Sequence, residues 1–266
     1  MKQISFLAVV VGLIVVGICS EARAAITCTM EDYRGTYAFY SNGHLLNLPP
    51  EGAALIGPFA QAGFFNTDGQ GNVNIQLMAS YNGFITNGDS TATYTISPDC
   101  ILSYEIMLPP PLIAPAKFYG VLSDRNRQMT LTISEPPGNV VVGYHTKQDT
   151  NFCGVADLNG AYHIDMDGGI TMPGPRQGKF HRLGRLLADG KGNFTVTSID
   201  NYAGLQVPVE FSGTYDVNGR CILSMHYQNG NDDITVYGVG AGHGDFWSII
   251  ITTPGWSSAG FLRAQQ

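Results

Sequence analysis

The sequence predicts an all-β protein built as two tandem antiparallel up-and-down β-barrels of about eight strands each. Three observations carry this expectation: an internal repeat with a period near 120 residues, short alternating runs cut by tight-turn signals, and an unusual composition. Charged residues make up 13% of the chain, while glycine reaches 33 residues and tyrosine and phenylalanine 13 each. Few helix-favouring charges beside many glycines and aromatics point to β-structure.

The repeat fixes the organisation. Cys28 precedes Gly35-Thr36-Tyr37 as Cys153 precedes Gly160-Ala161-Tyr162. Asp68-Gly69-Gln70-Gly71-Asn72 is answered by Asp189-Gly190-Lys191-Gly192-Asn193, and Cys-Ile-Leu-Ser at 100–103 returns at 221–224. Tyr119-Gly120-Val121 matches Tyr237-Gly238-Val239. Order, spacing and residue type agree, which marks a tandem duplication; a period this long gives each copy its own core. The expected domains are 25–148 and 149–266, behind an export signal at 1–24.

Turn chemistry then places the strands. In the first copy they are expected near 35–41, 58–67, 72–80, 90–97, 100–108, 116–123, 128–134 and 139–146. The second copy gives 160–166, 179–188, 193–200, 209–217, 221–227, 234–241, 246–252 and 258–264. Asp-Gly-x-Gly-Asn supplies the positive-φ residues of a hairpin, and Pro-Pro-Gly-Asn and Thr-Pro-Gly-Trp supply others. Ala92, Tyr94 and Ile96 alternate with Thr91, Thr93 and Thr95, the period-two pattern of a half-buried strand. The stretch 41–57 lacks alternation and reads as a long loop with one helical turn.

Eight short strands with tight turns suit a closed barrel, which has no exposed edge; a pair of two-sheet sandwiches is the alternative. Four cysteines remain once Cys19 leaves with the signal, and Cys28, Cys100, Cys153 and Cys221 allow three disulfide connectivities. In a meander, the entry to strand one and the turn before strand five share a rim. That geometry selects Cys28–Cys100 and Cys153–Cys221, one bridge per barrel.

Residues 1–24 carry Lys2, an apolar run from Ile4 to Cys19 and Ala22-Arg23-Ala24, the layout of a cleaved signal with a mature chain starting at Ala25. No later segment has the length and apolarity of a membrane-spanning helix. Removing Lys2, Glu21 and Arg23 leaves 12 basic and 20 acidic residues with no basic run, which disfavours nucleic acid as a partner. The expected location is secreted or periplasmic. No phosphate loop, zinc-protease or nucleophile-elbow motif occurs, so no cofactor is expected.

Two kinds of candidate site stand out. The first is aromatic: Tyr37, Tyr94, Tyr119 and Phe118 in one copy, and Tyr162, Tyr215, Tyr237 and Phe211 in the other. An eight-stranded barrel either fills with side chains or holds one small ligand, and tyrosines lining a cup suit a hydrophobic molecule. The second is ionisable. Glu105 and His226 are candidate acid–base groups if their strand faces point inward, and solvated residues if the apolar faces beside them do. His163, Asp165 and Asp167 share one strand face, a metal-ligand row or a solvated surface, the latter preferred, so no metal is expected. His243 and Asp245 fall at a turn.

Gly35-x-Tyr37 and Gly160-x-Tyr162 on first strands, with a basic residue on each last strand, resemble the calycin superfamily. Lipocalins and avidins there carry Gly-x-Trp and an arginine packed on the ring. The resemblance implies Lys147 near Tyr37 and Arg263 near Tyr162. Allene-oxide-cyclase-like and dirigent barrels are similar in architecture alone. The resulting expectation is an exported, non-catalytic protein that binds a small lipophilic molecule. The alternatives are a barrel isomerase or cyclase acting on a hydrophobic substrate, and a structural or adhesive surface protein with filled cores.

Overall fold

The computed structural model describes residues 27–107, 115–123, 127–149 and 153–265. The expected export signal and the end of the linker between the copies lie outside the described residues. The chain forms two closed antiparallel barrels with strands joined in sequence order. Barrel 1 comprises β1 (Gly35–Leu45), β2 (Gly57–Thr67), β3 (Asn72–Tyr81), β4 (Phe84–Ile96), β5 (Ile101–Met107), β6 (Pro115–Ser123), β7 (Gln128–Glu135) and β8 (Val140–Lys147). Barrel 2 comprises β9 (Asn159–Ile170), β10 (Gly178–Asp189), β11 (Asn193–Tyr202), β12 (Leu205–Val217), β13 (Ile222–Asn229), β14 (Asp232–Ala241), β15 (Phe246–Ile251) and β16 (Trp256–Ala264). Last strand pairs with first in both, Tyr144 opposite Tyr40 and Phe261 opposite Asp165.

The duplicated motifs have local physical causes. In the first Asp-Gly-x-Gly-Asn turn, Asp68 Oδ1 accepts from the amides of Gln70 (2.7 Å) and Asn72 (3.0 Å), and Oδ2 accepts from Asn72 Nδ2 (2.6 Å). Asp189 repeats all three bonds with Lys191 and Asn193. The asparagine side chains, followed by the turn amides, draw both carboxyls down to about 2. Gly69, Gly71, Gly190 and Gly192 take φ of 75°, 109°, 68° and 103°, which a side chain would resist. The cysteine leading each Cys-Ile-Leu-Ser also sits at positive φ, 63° at Cys100 and 61° at Cys221. The disulfides are Cys28–Cys100 and Cys153–Cys221, as the meander geometry requires.

The largest departures from the expected strand starts are at β4 and β12. Asn82-Gly83 and Ala203-Gly204, all at positive φ, form two-residue hairpin turns, so β4 begins at Phe84 and β12 at Leu205. The early halves pair on one side alone: β4 meets β5 through Ala92–Ile96, and β12 meets β13 through Gly213–Val217. The stretch 41–57 extends β1 to Leu45 and then folds a 3-10 helix, Pro50–Leu55.

Each barrel encloses its own apolar core, and a third cluster joins them. Ala38, Ala60 and Ala62 on the outer face of β1 and β2 let Val239, Ile250 and Ala259 of barrel 2 approach closely, with Tyr40 and Phe246 filling the flanks. Asn42 Nδ2 donates to the carbonyls of Asp167 (3.3 Å) and Ala259 (3.1 Å), and Ser80 Oγ donates to Trp256 O (2.6 Å). The barrels are thus one packed body.

Candidate functional site

Short plugs, around the 3-10 turns Met30–Tyr33 and Val155–Asp157, lie at one end of each barrel, and four of the six tyrosines expected to line a cup pack on or bond to them. The first plug contains the 3-10 turn Met30–Tyr33, whose Tyr33 is buried and packs at a tilt against Tyr37, ring centroids 4.5 Å apart. Tyr94 Oη donates to Met30 O at 3.1 Å. In barrel 2, Tyr215 Oη donates to Leu158 O (2.6 Å) and Tyr162 Oη to Asp157 O (3.2 Å). Burial raises the phenols of Tyr37, Tyr94, Tyr162 and Tyr215 above their usual range, so all four stay protonated donors.

The other two tyrosines point outward. Phe118 takes the inner position on β6, so alternation turns Tyr119 to the outer face, where it is 44% exposed. Tyr237 faces the neighbouring barrel, and burial there raises its phenol to about 12. Neither borders an interior.

Little room is left inside barrel 1. Its central void measures about 20 Å³, lined by Phe39, Phe59, Phe65, Ile75, Tyr104 and Phe118 among others. That volume holds one water, whereas ligand pockets span roughly 300–1,000 Å³. His145, at the plug end, lies fully inside, its Nδ1 2.8 Å from Tyr33 Oη and its ring against Phe39 and Phe65. Burial pushes its pKa down to about 3, so it is neutral at physiological pH.

Barrel 2 is filled differently, and sequence reasoning missed how. Arg182 and Asp200 are 1% and 0% exposed and face each other across β10 and β11. Arg182 Nε donates to Asp200 Oδ1 (2.8 Å), Nη2 to Oδ2 (2.7 Å) and Nη1 to Tyr227 Oη (2.8 Å). Ser198 and Tyr202 complete the carboxylate's shell at 3.1 and 2.8 Å, and the guanidinium sits 4.7 Å from the Phe211 ring centroid. Burial alone opposes the arginine's charge; Tyr227 and Asp200 outweigh it and raise its pKa. The signal was present in the pattern: Arg182 shares the inward register of Phe180 and Leu186, and Asp200 that of Val196 and Tyr202.

The ionisable candidates lie outside the barrels. Glu105 is exposed opposite Lys117, and His226 is exposed and paired with Asp233 at 2.5 Å. Asp165 meets His181 at 3.1 Å and Asp167 meets Lys179 at 2.8 Å on the outer face of β9 and β10, while His163 packs edge-on to Phe261. Among the described residues no three His, Cys, Asp or Glu side chains are grouped to hold a metal. His243 and Asp245 are exposed at their turn. Lys147 lies 5.7 Å from the Tyr37 ring centroid, as the calycin resemblance implies. Arg263 departs from it. One register step places Leu262 inward and Arg263 outward, stacked over Phe246 and Phe261 rather than Tyr162.

Larger spaces occur on the surface. An open groove of about 590 Å³ crosses β10–β12, lined by Leu183, Arg185, Thr197, Ile199, Pro208 and Glu210. A recess of about 240 Å³ lies at the mouth of barrel 2, beside the Arg176–Asp232 ion pair and Trp256.

No family model and no curated protein matches the chain. Among solved structures, the agglutinin of Burkholderia oklahomensis is similar over 87% of this chain and 97% of its own, at 13% identity and a TM-score of 0.17. Likeness at that score carries no argument about fold or function.

Proposed function

We propose that this is an exported, non-catalytic protein that acts through its outer surface, as a structural or adhesive module. The observation that supports this reading is where ligand-sized space lies: about 590 Å³ in the groove on barrel 2, against about 20 Å³ inside barrel 1. The groove offers Leu183, Ile199 and Pro208 as an apolar strip between Arg185 and Glu210, a combination suited to contact with another macromolecule. Two disulfides favour an oxidising compartment. No helix among the described residues is long and apolar enough to cross a membrane. Isomerase or cyclase chemistry needs a titratable group open to a substrate. His145 is sealed by Tyr33, Phe39 and Phe65, and Glu105 and His226 face water.

A second reading, a lipophilic ligand inside barrel 1, draws on the apolar lining of its void and on Tyr81, whose buried hydroxyl at that void has no hydrogen-bond partner among the described residues. Native mass spectrometry of protein purified without detergent, with titration of a dansylated fatty acid, separates the two. The surface reading expects the mass of the chain alone and no saturable fluorescence. A stoichiometric small molecule in the spectrum would overturn it.

A further inference from the structure

The duplication gives both barrels the same outward rows of residues, with opposite fates. In barrel 2, Val239, Phe261, Tyr237, Ile250 and Ala259 occupy the outer face of β14–β16 and pack against barrel 1. Strand register maps these onto Val121, Tyr144, Tyr119, Thr132 and Val142 on β6–β8 of barrel 1. The barrel 1 set is uncovered: Val121, Tyr144, Tyr119 and Val142 are 47%, 44%, 44% and 48% exposed. A face whose twin is the core of an interface has the chemistry of a buried surface, and here it meets water.

The patch is also continuous with the existing interface. Tyr144 stacks on Tyr40 at 5.7 Å, and Tyr40 in turn packs on Phe261 of barrel 2 at 5.9 Å. The five residues carry no charge, and the Lys117–Glu135 ion pair lies at the end of the β6–β7 ladder.

The kind of partner follows from the other half of the interface. In barrel 1 that half presents Tyr40, Asn42, Ala60 and Ala62. Its counterparts on β9 and β10 of barrel 2 are Asp165, Asp167, His181 and Leu183. Burying two carboxylates, with the Lys179 ammonium and the His181 ring that pair with them, against an apolar face is costly, so copies do not repeat the head-to-tail contact into a chain. This charged end resembles the polar outer face that caps a repeat array. What a second copy can offer the β6–β8 face is the same face. We propose that two copies of this chain associate through the β6–β8 faces of their first barrels, related by a two-fold axis, with Tyr119, Thr132 and Val142 at the centre.

Sedimentation velocity on the full chain across the micromolar range tests this, together with the double variant Tyr119→Lys/Val142→Lys. The wild type should sediment as a dimer, and the double variant as a monomer that still unfolds in one cooperative transition with a midpoint independent of protein concentration, because these side chains are exposed in the single chain. Leu183→Lys, on the charged face of barrel 2, should remain dimeric. A wild type that stays monomeric, a double variant that stays dimeric, or loss of the dimer in Leu183→Lys would each overturn the proposal. None of these outcomes bears on whether a ligand enters a barrel, so the surface function stands or falls separately.

Discussion

Barrel 1 and barrel 2 place different chemistry at the same interior positions. Where barrel 1 sets Ser41, Gln61 and Ala79 across three strands, barrel 2 sets Met166, Arg182 and Asp200. The neutral version is satisfied by one bond, Gln61 Nε2 to Ser41 Oγ at 2.7 Å. The charged version recruits Tyr227 from β13 and Ser198 and Tyr202 from β11 before its groups are paired. Tyr81, the barrel 1 counterpart of Tyr202, has no Asp200 to reach, and its hydroxyl finds no partner among the described residues. A closed barrel thus accepts a charge inside when several strands supply partners together, and otherwise selects neutral residues.

The largest test of that contrast removes one charge. Asp200→Ala strands Arg182 and should destabilise barrel 2 by about 3–5 kcal/mol, read by denaturant unfolding through Trp247 and Trp256, both of which lie in barrel 2. The triple variant Met166→Ser/Arg182→Gln/Asp200→Ala installs the barrel 1 set and should recover most of the loss. Failure to recover would mean that the surrounding strands have become committed to the ion pair.

Next in size are the disulfides, which should not distinguish the barrels. Their sequence separations are 72 and 68, so removing either pair by serine should cost a similar amount, about 2–4 kcal/mol. Calorimetry of the two variants showing sharply unequal losses would indicate residual structure in one unfolded half.

A smaller contrast is steric. Barrel 2 pairs Gly240 with Trp247 where barrel 1 pairs Leu122 with Met129. A Cβ on Gly240 would come within 2.8 Å of the indole, so Gly240→Ala should cost about 1–3 kcal/mol in thermal unfolding. Adding Trp247→Met to Gly240→Leu should relieve it.

The smallest is the response to acid. His145 of barrel 1 stands where barrel 2 has Leu262. Its folded pKa of about 3 lies below the ordinary value of 6.5, so the unfolded chain takes up a proton that the folded barrel refuses. Stability is whole above pH 6.5 and falls as pH drops toward 3, by about 1 kcal/mol at pH 5.5. Unfolding of His145→Leu at pH 7.5 and 5.5 should show this part of the acid loss removed.

The fold was legible because its punctuation is local: Asp68, Asn72 and their twins close a turn with their own side chains, and the cysteines mark one rim. Asn82-Gly83 escaped notice because the first half of β4, from Phe84 to Thr91, pairs on one side alone. Its residues are therefore half exposed, without the alternation that identifies a strand. The fate of the tyrosines was not legible for a different reason. Whether an eight-stranded barrel is hollow depends on the summed volume from all its strands, which no single motif reports. Tyr119 and Arg263 turned on one-residue register, the quantity that sends a side chain to one face or the other.

The two sulfur bridges join Cys28 to Cys100 and Cys153 to Cys221, so that each links cysteines adjacent in the sequence, in the order a ribosome delivers them. An enzyme that oxidises thiols as they emerge would reach the native connectivity without reshuffling. The first half can therefore be locked before the second is finished. What it cannot do alone is shelter Ala38, Ala60 and Ala62, whose cover comes with the final strands. Until those strands arrive, that apolar face meets water.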